Sequence, residues 1–112
     1  MSKFFALYLA PVSAIEAMMA NATSEQMKAG MDSWMTWMKH NEKALADMGA
    51  PLGKTKRVSA GGVSSVKNEV TGYTIVEAES HDAAAAMFVG HPHLQVPGAY
   101  IDVLAVMPIP GM

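Results

Sequence analysis

The first residues of the chain alternate in a way that leaves apolar side chains on both faces of a strand. Phe5, Leu7 and Leu9 alternate with Phe4, Ala6 and Tyr8. A strand that is apolar on both faces is typical of the interior of a sheet, because both of its faces are covered there. The pattern therefore predicts a central strand over residues 4–9, ended by Pro11.

Apolar residues then recur at helical spacing. Ser13 and Glu16 have the spacing of a capping box and predict a short helix over residues 14–20. Thr23 and Gln26 have the same spacing and predict that the main helix starts at Ser24. One face of this helix would be formed by Met27, Met31, Trp34, Met38, Asn41, Leu45 and Met48.

The end of the main helix is predicted at Met48, with Gly49 as the residue that follows it in a left-handed conformation. Such a helix would be roughly 37 Å long, whereas a strand of seven residues spans about 23 Å. We therefore expect the helix either to overhang the sheet or to break near Gly30.

The second half of the chain reads as strands around one more helix. Gly61 and Gly62 predict a hairpin between strands over residues 54–60 and 63–67. A strand over residues 72–79 follows, then a helix capped by Ser80, then a strand over residues 99–107. The order is β-α-β-β-α-β with one minor extra strand, which predicts a single α+β domain over residues 1–112 with a ferredoxin-like antiparallel sheet.

The first and last strands indicate how the domain is used. The last strand sets Ile101, Val103 and Met107 against Tyr100, Leu104 and Val106. Helices in this topology cover one face of the sheet only, and monomers rarely expose a contiguous apolar face. The pattern therefore predicts a homodimer that forms through the open sheet face.

Composition excludes several classes of function. The 112 residues include no cysteine and carry a net charge of −2, which excludes disulfides and thiolate chemistry and argues against nucleic-acid binding. No run reaches the roughly 18 apolar residues of a membrane span. The apolar N-terminal run is interrupted by Pro11 and Glu16, so we expect no secretory signal, no membrane association and a cytoplasmic protein.

Three segments resemble the YCII-related family, some of whose members carry an Asp-Gly-Pro-Phe signature. They are Met48–Gly53, the run Gly72–Ser80 followed by Ala83 and Ala84, and His91–Leu94. The resemblance implies a dimeric α+β barrel. Two departures stand out: the Asp-Gly-Pro-Phe signature is absent before Gly72, and His40 lies two or three residues away from the place of the family's helix histidine.

Candidate ligand-binding residues are Trp37, His40, Asn41, Tyr73, His91 and His93. Trp37, His40 and Asn41 would line a cleft at the end of the main helix, or they would lie on the surface. His91 and His93 flank Pro92 and would face the same cleft, or His91 would end a helix while His93 lies in an exposed loop. Two close histidines without a third ligand do not make a metal site, so we expect no metal and no cofactor.

The sequence supports three hypotheses about function. The leading one is a homodimer that binds a small, largely apolar molecule in a cleft between helix and sheet, with or without weak acid–base chemistry. A non-catalytic assembly or regulatory module is the alternative, because no nucleophile–base pair is evident. The third is a cofactor-free monooxygenase, which requires a deep substrate cavity. The sequence identifies no catalytic residue and leaves open whether the chain is an enzyme.

Overall fold

A computed structural model describes residues 1–111 of the chain. The strands are β1 (Ser2–Leu9), β2 (Leu45–Pro51), β3 (Thr55–Ser59), β4 (Gly62–Val66), β5 (Val70–Ala78) and β6 (Tyr100–Ala105). The α-helices are α1 (Val12–Asn21), α2 (Ser24–His40) and α3 (His81–Ala86), and short 3-10 helices span Glu42–Ala44 and Pro92–Gln95.

Four strands form one antiparallel sheet in the order β2-β5-β1-β6. The predicted central position of β1 is confirmed, since it pairs with β5 on one side and β6 on the other. With β3 and β4 set aside as a separate hairpin, the order of elements is that of a ferredoxin-like α+β fold. The predicted fold class is therefore confirmed.

The predicted end of the main helix is wrong. Helix α2 ends at His40, where Asn41 turns its side chain back to donate to the Trp37 carbonyl at 2.9 Å. Residues 45–51, which continue the helical spacing in the sequence, instead pair with β5 as strand β2. Sheet pairing therefore overrides the helical periodicity, and β2 takes the sheet position that the sequence assigned to the hairpin.

Gly49 has a positive φ of 77°, as predicted, but inside β2 rather than after a helix. A Cβ atom at this position would lie 1.6 Å from the Tyr73 carbonyl oxygen. Because glycine has no Cβ, this clash does not arise. The Gly49 N–H donates to Asp47 Oδ1 at 2.8 Å. The glycine thus permits an irregular strand to approach β5 closely.

The main helix does not break at Gly30, because α2 is continuous over 17 residues. The other alternative, an overhang, is what the structure has: residues 24–33 are all exposed, and only the second half of α2 packs on the sheet layer. The Thr23 capping box is confirmed, with Gln26 N–H donating to Thr23 Oγ1 at 3.1 Å.

The predicted cap of the short helix is wrong. Helix α1 begins at Val12 directly after Pro11, and Ser13 lies inside it. Glu16 points away from the helix start and pairs with Lys67 Nζ at 3.2 Å. The Ser80 cap of α3 is confirmed by a 3.0 Å bond from the Ala83 N–H.

The two faces of the sheet differ in burial. The core on the helix side consists of Phe4, Ala6, Tyr8, Val76, Ala78, Ala84 and Phe88. On the other face Phe5, Leu7 and Ile75 stay half-buried, and Leu104 is 45% exposed. An apolar sheet face therefore remains open in the single chain, as the strand pattern indicates.

Candidate functional site

His91 lies at the centre of the most unusual group of side chains in the protein. Gly90, with a φ of 76°, turns the chain after α3, and the His91 N–H then donates to the Phe88 carbonyl at 3.1 Å. The turn directs the imidazole inward, so that His91 is only 1% exposed. A buried histidine is placed here by backbone geometry rather than by an ionic partner.

Aromatic rings surround the His91 imidazole. Trp34 and Trp37 meet it edge-on, with ring centroids 4.5 and 4.6 Å away. Tyr8 stacks on it at 5.0 Å, and Phe88 lies 5.9 Å away. We call Tyr8, Trp34, Trp37, Phe88 and His91 the aromatic cluster.

The hydrogen bonds of His91 define its protonation. Its Nδ1 accepts from the His93 backbone N–H at 3.0 Å, so the proton of the neutral ring is on Nε2. Nε2 is buried and finds no hydrogen-bond acceptor among residues 1–111. Edge-on ring contacts offer an N–H group only a weak π acceptor. An unpaired buried donor costs about 1–3 kcal/mol, which makes this atom a candidate for ligand recognition.

Burial keeps His91 neutral. The pKa of His91 is lowered from 6.5 to about 4, chiefly because burial disfavours the charged imidazolium and secondly because His93 lies close by. At neutral pH the ring is therefore an uncharged donor through Nε2. It can recognise an oxygen acceptor without carrying a positive charge into the apolar cluster.

Tyr8 is held as a protonated phenol. Thr74 Oγ1 donates to the Met48 carbonyl at 3.2 Å, so the 2.7 Å bond between the Tyr8 and Thr74 hydroxyls takes its proton from Tyr8. Burial raises the pKa of Tyr8 to about 12. Tyr8 therefore positions the cluster on β1 and does not act as a base near neutral pH.

His93 fastens the short helix that follows His91. Its Nε2 lies 2.8 Å from the Leu9 carbonyl oxygen, which can only accept, so Nε2 carries the proton. The side chain is buried rather than exposed in a loop. His93 thus ties residues 92–95 to the end of β1 and supplies the backbone N–H that fixes His91.

The remaining candidate residues fall into different places. Trp37 is in the aromatic cluster and donates from Nε1 to the Met87 carbonyl at 3.1 Å. His40 and Asn41 line an open depression of ≈ 380 Å³ formed by Lys39–Ala44. Tyr73 lies on the open sheet face, stacked on Phe5 at 5.5 Å. The structure therefore brings together Trp37, His91 and His93, while His40, Asn41 and Tyr73 lie apart from them.

A second depression, of ≈ 550 Å³, lies beside α1 and is lined by Pro11, Ser13, Ala14, Ala17, Met18 and Pro97. Neither depression reaches His91. No group of three His, Asp or Glu side chains within residues 1–111 is placed to hold a metal ion. In the same described part of the chain, no helix has both the length and the apolar character needed to cross a membrane.

Sequence reasoning missed three members of the cluster. The pattern assigns Tyr8 to a face of the first strand and Trp34 to a face of the main helix, and it singles out no role for Phe88, yet all three contact His91. The available signal was the spacing of Trp34 and Trp37, which places two indoles on one helical face. Nothing in the local sequence indicates that this face meets a histidine more than fifty residues later.

Comparison with known proteins gives a likeness in fold. No protein-family model matches the chain, and no curated protein matches it. Among solved structures, TftG, a 5-chloro-2-hydroxyhydroquinone dehydrochlorinase from Burkholderia phenoliruptrix AC1100 in complex with 2,5-dihydroxybenzoquinone, matches with a TM-score of 0.53 and 14% identity. The match covers 97% of this chain and 95% of TftG. At this identity the likeness shows the fold alone, and the fold agrees with the α+β architecture described above.

Proposed function

We propose that this chain is a homodimeric domain that binds a small, planar, largely apolar molecule at the aromatic cluster. In this proposal the Nε2–H of His91 donates a hydrogen bond to an oxygen atom of the ligand. The observation that carries the proposal is the buried Nε2 donor that finds no acceptor among residues 1–111. A ligand oxygen would supply the acceptor and remove the cost of the unpaired donor.

The surroundings of His91 favour a planar ring. Trp34 and Trp37 are half-buried and form the outer wall of the cluster, and aromatic rings bind other planar rings by stacking or edge contacts. Because neither surface depression reaches His91, ligand entry requires one indole to move.

The ligand class is suggested by the fold likeness. TftG was solved with 2,5-dihydroxybenzoquinone, a planar ring that carries several oxygen acceptors. A quinone or a related aromatic carbonyl compound would match both the apolar walls and the single donor of this site. We therefore propose planar aromatic compounds with a carbonyl or phenolate oxygen as the ligand class.

The arrangement favours binding over catalysis. The imidazole of His91 is oriented by a backbone N–H rather than by a carboxylate, and acid–base dyads of side chains normally need such a partner. The monooxygenase hypothesis calls for a deep cavity between sheet and helices, and the depressions lined by Lys39–Ala44 and by the α1 residues both lie at the surface.

Binding can be measured with three probes: 2,5-dihydroxybenzoquinone, 1,4-naphthoquinone and naphthalene, which lacks an oxygen acceptor. The chain has two tryptophans, Trp34 and Trp37, so the indole fluorescence lifetime reports directly on the cluster, and calorimetry gives the affinity. With no cysteine present, addition of quinone to a thiol does not interfere. We expect at least one quinone to bind about tenfold or more tightly than naphthalene, the worth of one hydrogen bond.

Two variants distinguish the effect of the His91 hydrogen-bond donor from the effect of an aromatic ring at this position. His91→Phe keeps an aromatic ring but removes the donor, and it should abolish the preference for quinone over naphthalene. His40→Phe, in the separate depression at the end of α2, should leave the preference unchanged. If neither quinone changes the lifetime or releases heat, the binding proposal is wrong. A dimer without ligand binding would then favour the assembly module.

A further inference from the structure

The first half of α2 carries an apolar stripe that has nothing of its own chain beneath it. Residues seven apart lie on the same line of a helix, so Met27 aligns with Trp34 and Met31 aligns with Met38. Trp34 packs on the core, whereas Met27 and Met31 are 66% and 63% exposed. One continuous stripe thus has a covered half and an uncovered half.

Helix α1 shares this exposure. Each of its residues is exposed or half-buried, and Met19 is 77% exposed. We call residues 12–31, which comprise α1 and the first half of α2, the helical arm. The arm follows the Leu9 end of β1 and extends beyond that end of the sheet, because α2 covers the sheet only from Trp34 onward.

The single chain exposes far more surface than is typical of a folded monomer of its size. Its accessible surface is 8038 Å², about 2,000 Å² more than the roughly 6,000 Å² typical of a folded monomer of 11.9 kDa. The radius of gyration is 15.7 Å, against about 13 Å for a compact domain of this length. An excess of about 2,000 Å² per chain is as large as the area that one subunit buries in an obligate dimer.

The open sheet face is too small to account for that excess. Four strands about 4.8 Å apart and about 23 Å long cover roughly 440 Å² in projection. Doubling this area for side-chain relief still leaves more than half of the excess elsewhere. The rest lies on the β3–β4 hairpin, which is exposed everywhere except at Thr55 and Val66, and on the helical arm. The arm has the larger apolar surface of the two, with four exposed methionines at positions 18, 19, 27 and 31 against Val58 and Val63 of the hairpin.

The geometry points to a second copy of the chain as the partner of the arm. The stripe continues the face of α2 that packs on the sheet layer. A second copy on the open sheet face can therefore cover Met27 by extending past the Leu9 end of β1. The arm has low charge, with Glu16, Glu25 and Lys28 as its charged residues. Helices that bind membrane surfaces instead carry clusters of Lys and Arg.

We propose that the helical arm clasps the second copy of the chain, with Met27 and Met31 buried in the dimer. This inference rests on the proposed homodimer, to which it adds an interface outside the sheet. By two-fold symmetry each copy clasps the other, and the two arms bury their methionines at equivalent positions.

The clasp is tested by analytical ultracentrifugation over a range of protein concentrations. Met27→Glu should raise the dimer Kd at least tenfold. Ala29→Glu, a matched control on the opposite side of the same helical turn, should leave the Kd within threefold of wild type. Both substitutions introduce good helix formers, and circular dichroism checks that each variant is folded.

Methionine oxidation of the wild-type chain gives a second readout that needs no arm variant. In the dimer, Met27 and Met31 should oxidise at least fivefold more slowly than Met107, which is 74% exposed and follows β6 near Lys3, at the other end of β1 from the arm. In a Leu7→Glu monomer, altered on the open sheet face, the three rates should converge. Mass spectrometry of the peptides measures each rate.

A failure of the clasp can be distinguished from a failure of the proposed homodimer. If the wild type is a dimer while Met27→Glu dimerises normally and Met27 oxidises as fast as Met107, the clasp is wrong and the sheet dimer stands. A wild-type chain that stays monomeric at every concentration overturns both. A monomer whose binding to anionic vesicles depends on Met27 would assign the arm to a membrane surface and overturn the clasp.

Discussion

The burial of His91 destabilises the folded state at acidic pH. Burial lowers its pKa to about 4, and the titratable side chains packed near it are Tyr8, a neutral phenol, and His93. In the unfolded chain the ring has the ordinary pKa of 6.5. Between these values the unfolded state binds a proton that the folded state does not take up, so the stability due to neutral His91 is present above pH 6.5 and is lost toward pH 4.

This difference predicts the pH dependence of stability. Between pH 7.5 and pH 4 the free energy of unfolding of the wild type should fall by about 3 kcal/mol more than that of His91→Phe, which has no titrating ring. Urea denaturation at a series of pH values measures both curves. Phe88→Leu changes the packing of the same cluster without removing its titrating group. It should lower the free energy of unfolding at every pH and leave the dependence on pH as in the wild type. Parallel curves for the wild type and His91→Phe would contradict the burial argument.

At the residue scale the sequence identified Trp37, His91 and His93 as candidates but could not supply their environment. The burial of His91 depends on the positive φ of Gly90 and on rings from β1 and α2, which are far away along the chain. Spacing rules describe neighbours within one element, and they contain no information about which ring a loop residue meets.

The irregular strand β2 shows what decides between competing periodicities. Leu45 and Met48 continue the helical spacing of α2, yet Leu45 pairs opposite Val76 in the sheet. The register of β2 shifts between Leu45 and Asp47 and again between Asp47 and Ala50. Gly49 lies within this irregular stretch, against the Tyr73 carbonyl. Because the pairing partner is distant in sequence, local spacing could not predict the strand.

Gly49→Ala should therefore destabilise the fold by about 3 kcal/mol or more, since it places a Cβ on the Tyr73 carbonyl and imposes a left-handed conformation on alanine. Gly53→Ala is the matched control in the same segment, because a Cβ there meets no atom within 4 Å and its φ is not positive. It should change the stability by less than about 1 kcal/mol. Thermal and urea unfolding of the two variants compare these effects, and equal losses would contradict the role assigned to Gly49.

At the scale of the molecule, the two-faced apolar pattern of β1 predicts both its central position and a partner for the sheet. The first prediction is confirmed by the pairing of β1 with β5 and β6. The second stays a prediction, supported by the half-buried Phe5 and Leu7 and by the 45% exposure of Leu104. The central position of β1 could be predicted because alternation alone shows which residues lie on each face of a strand. The overhang of α2 could not be separated from a break at Gly30 without the true length of the helix.

The proposed dimer predicts a solution mass of twice 11.9 kDa. Leu7→Glu places a charge in the centre of the open sheet face and should raise the dimer Kd about a hundredfold or more, since an unpaired buried charge costs several kcal/mol. Val89→Glu, at an 82% exposed position after α3, should leave the mass unchanged. Light scattering measures the three masses, and a wild-type mass of one chain would exclude the dimer.

The central position of β1 also bears on how the chain acquires its structure. Phe4 pairs opposite Val76 and Ala105, so β1 finds its two neighbours only about 70 and about 100 residues later in the chain. Contacts that close such long loops slow folding, and until they form the apolar faces of β1 are open to other chains. During synthesis, β1 therefore stays unpaired until β5 and β6 have left the ribosome.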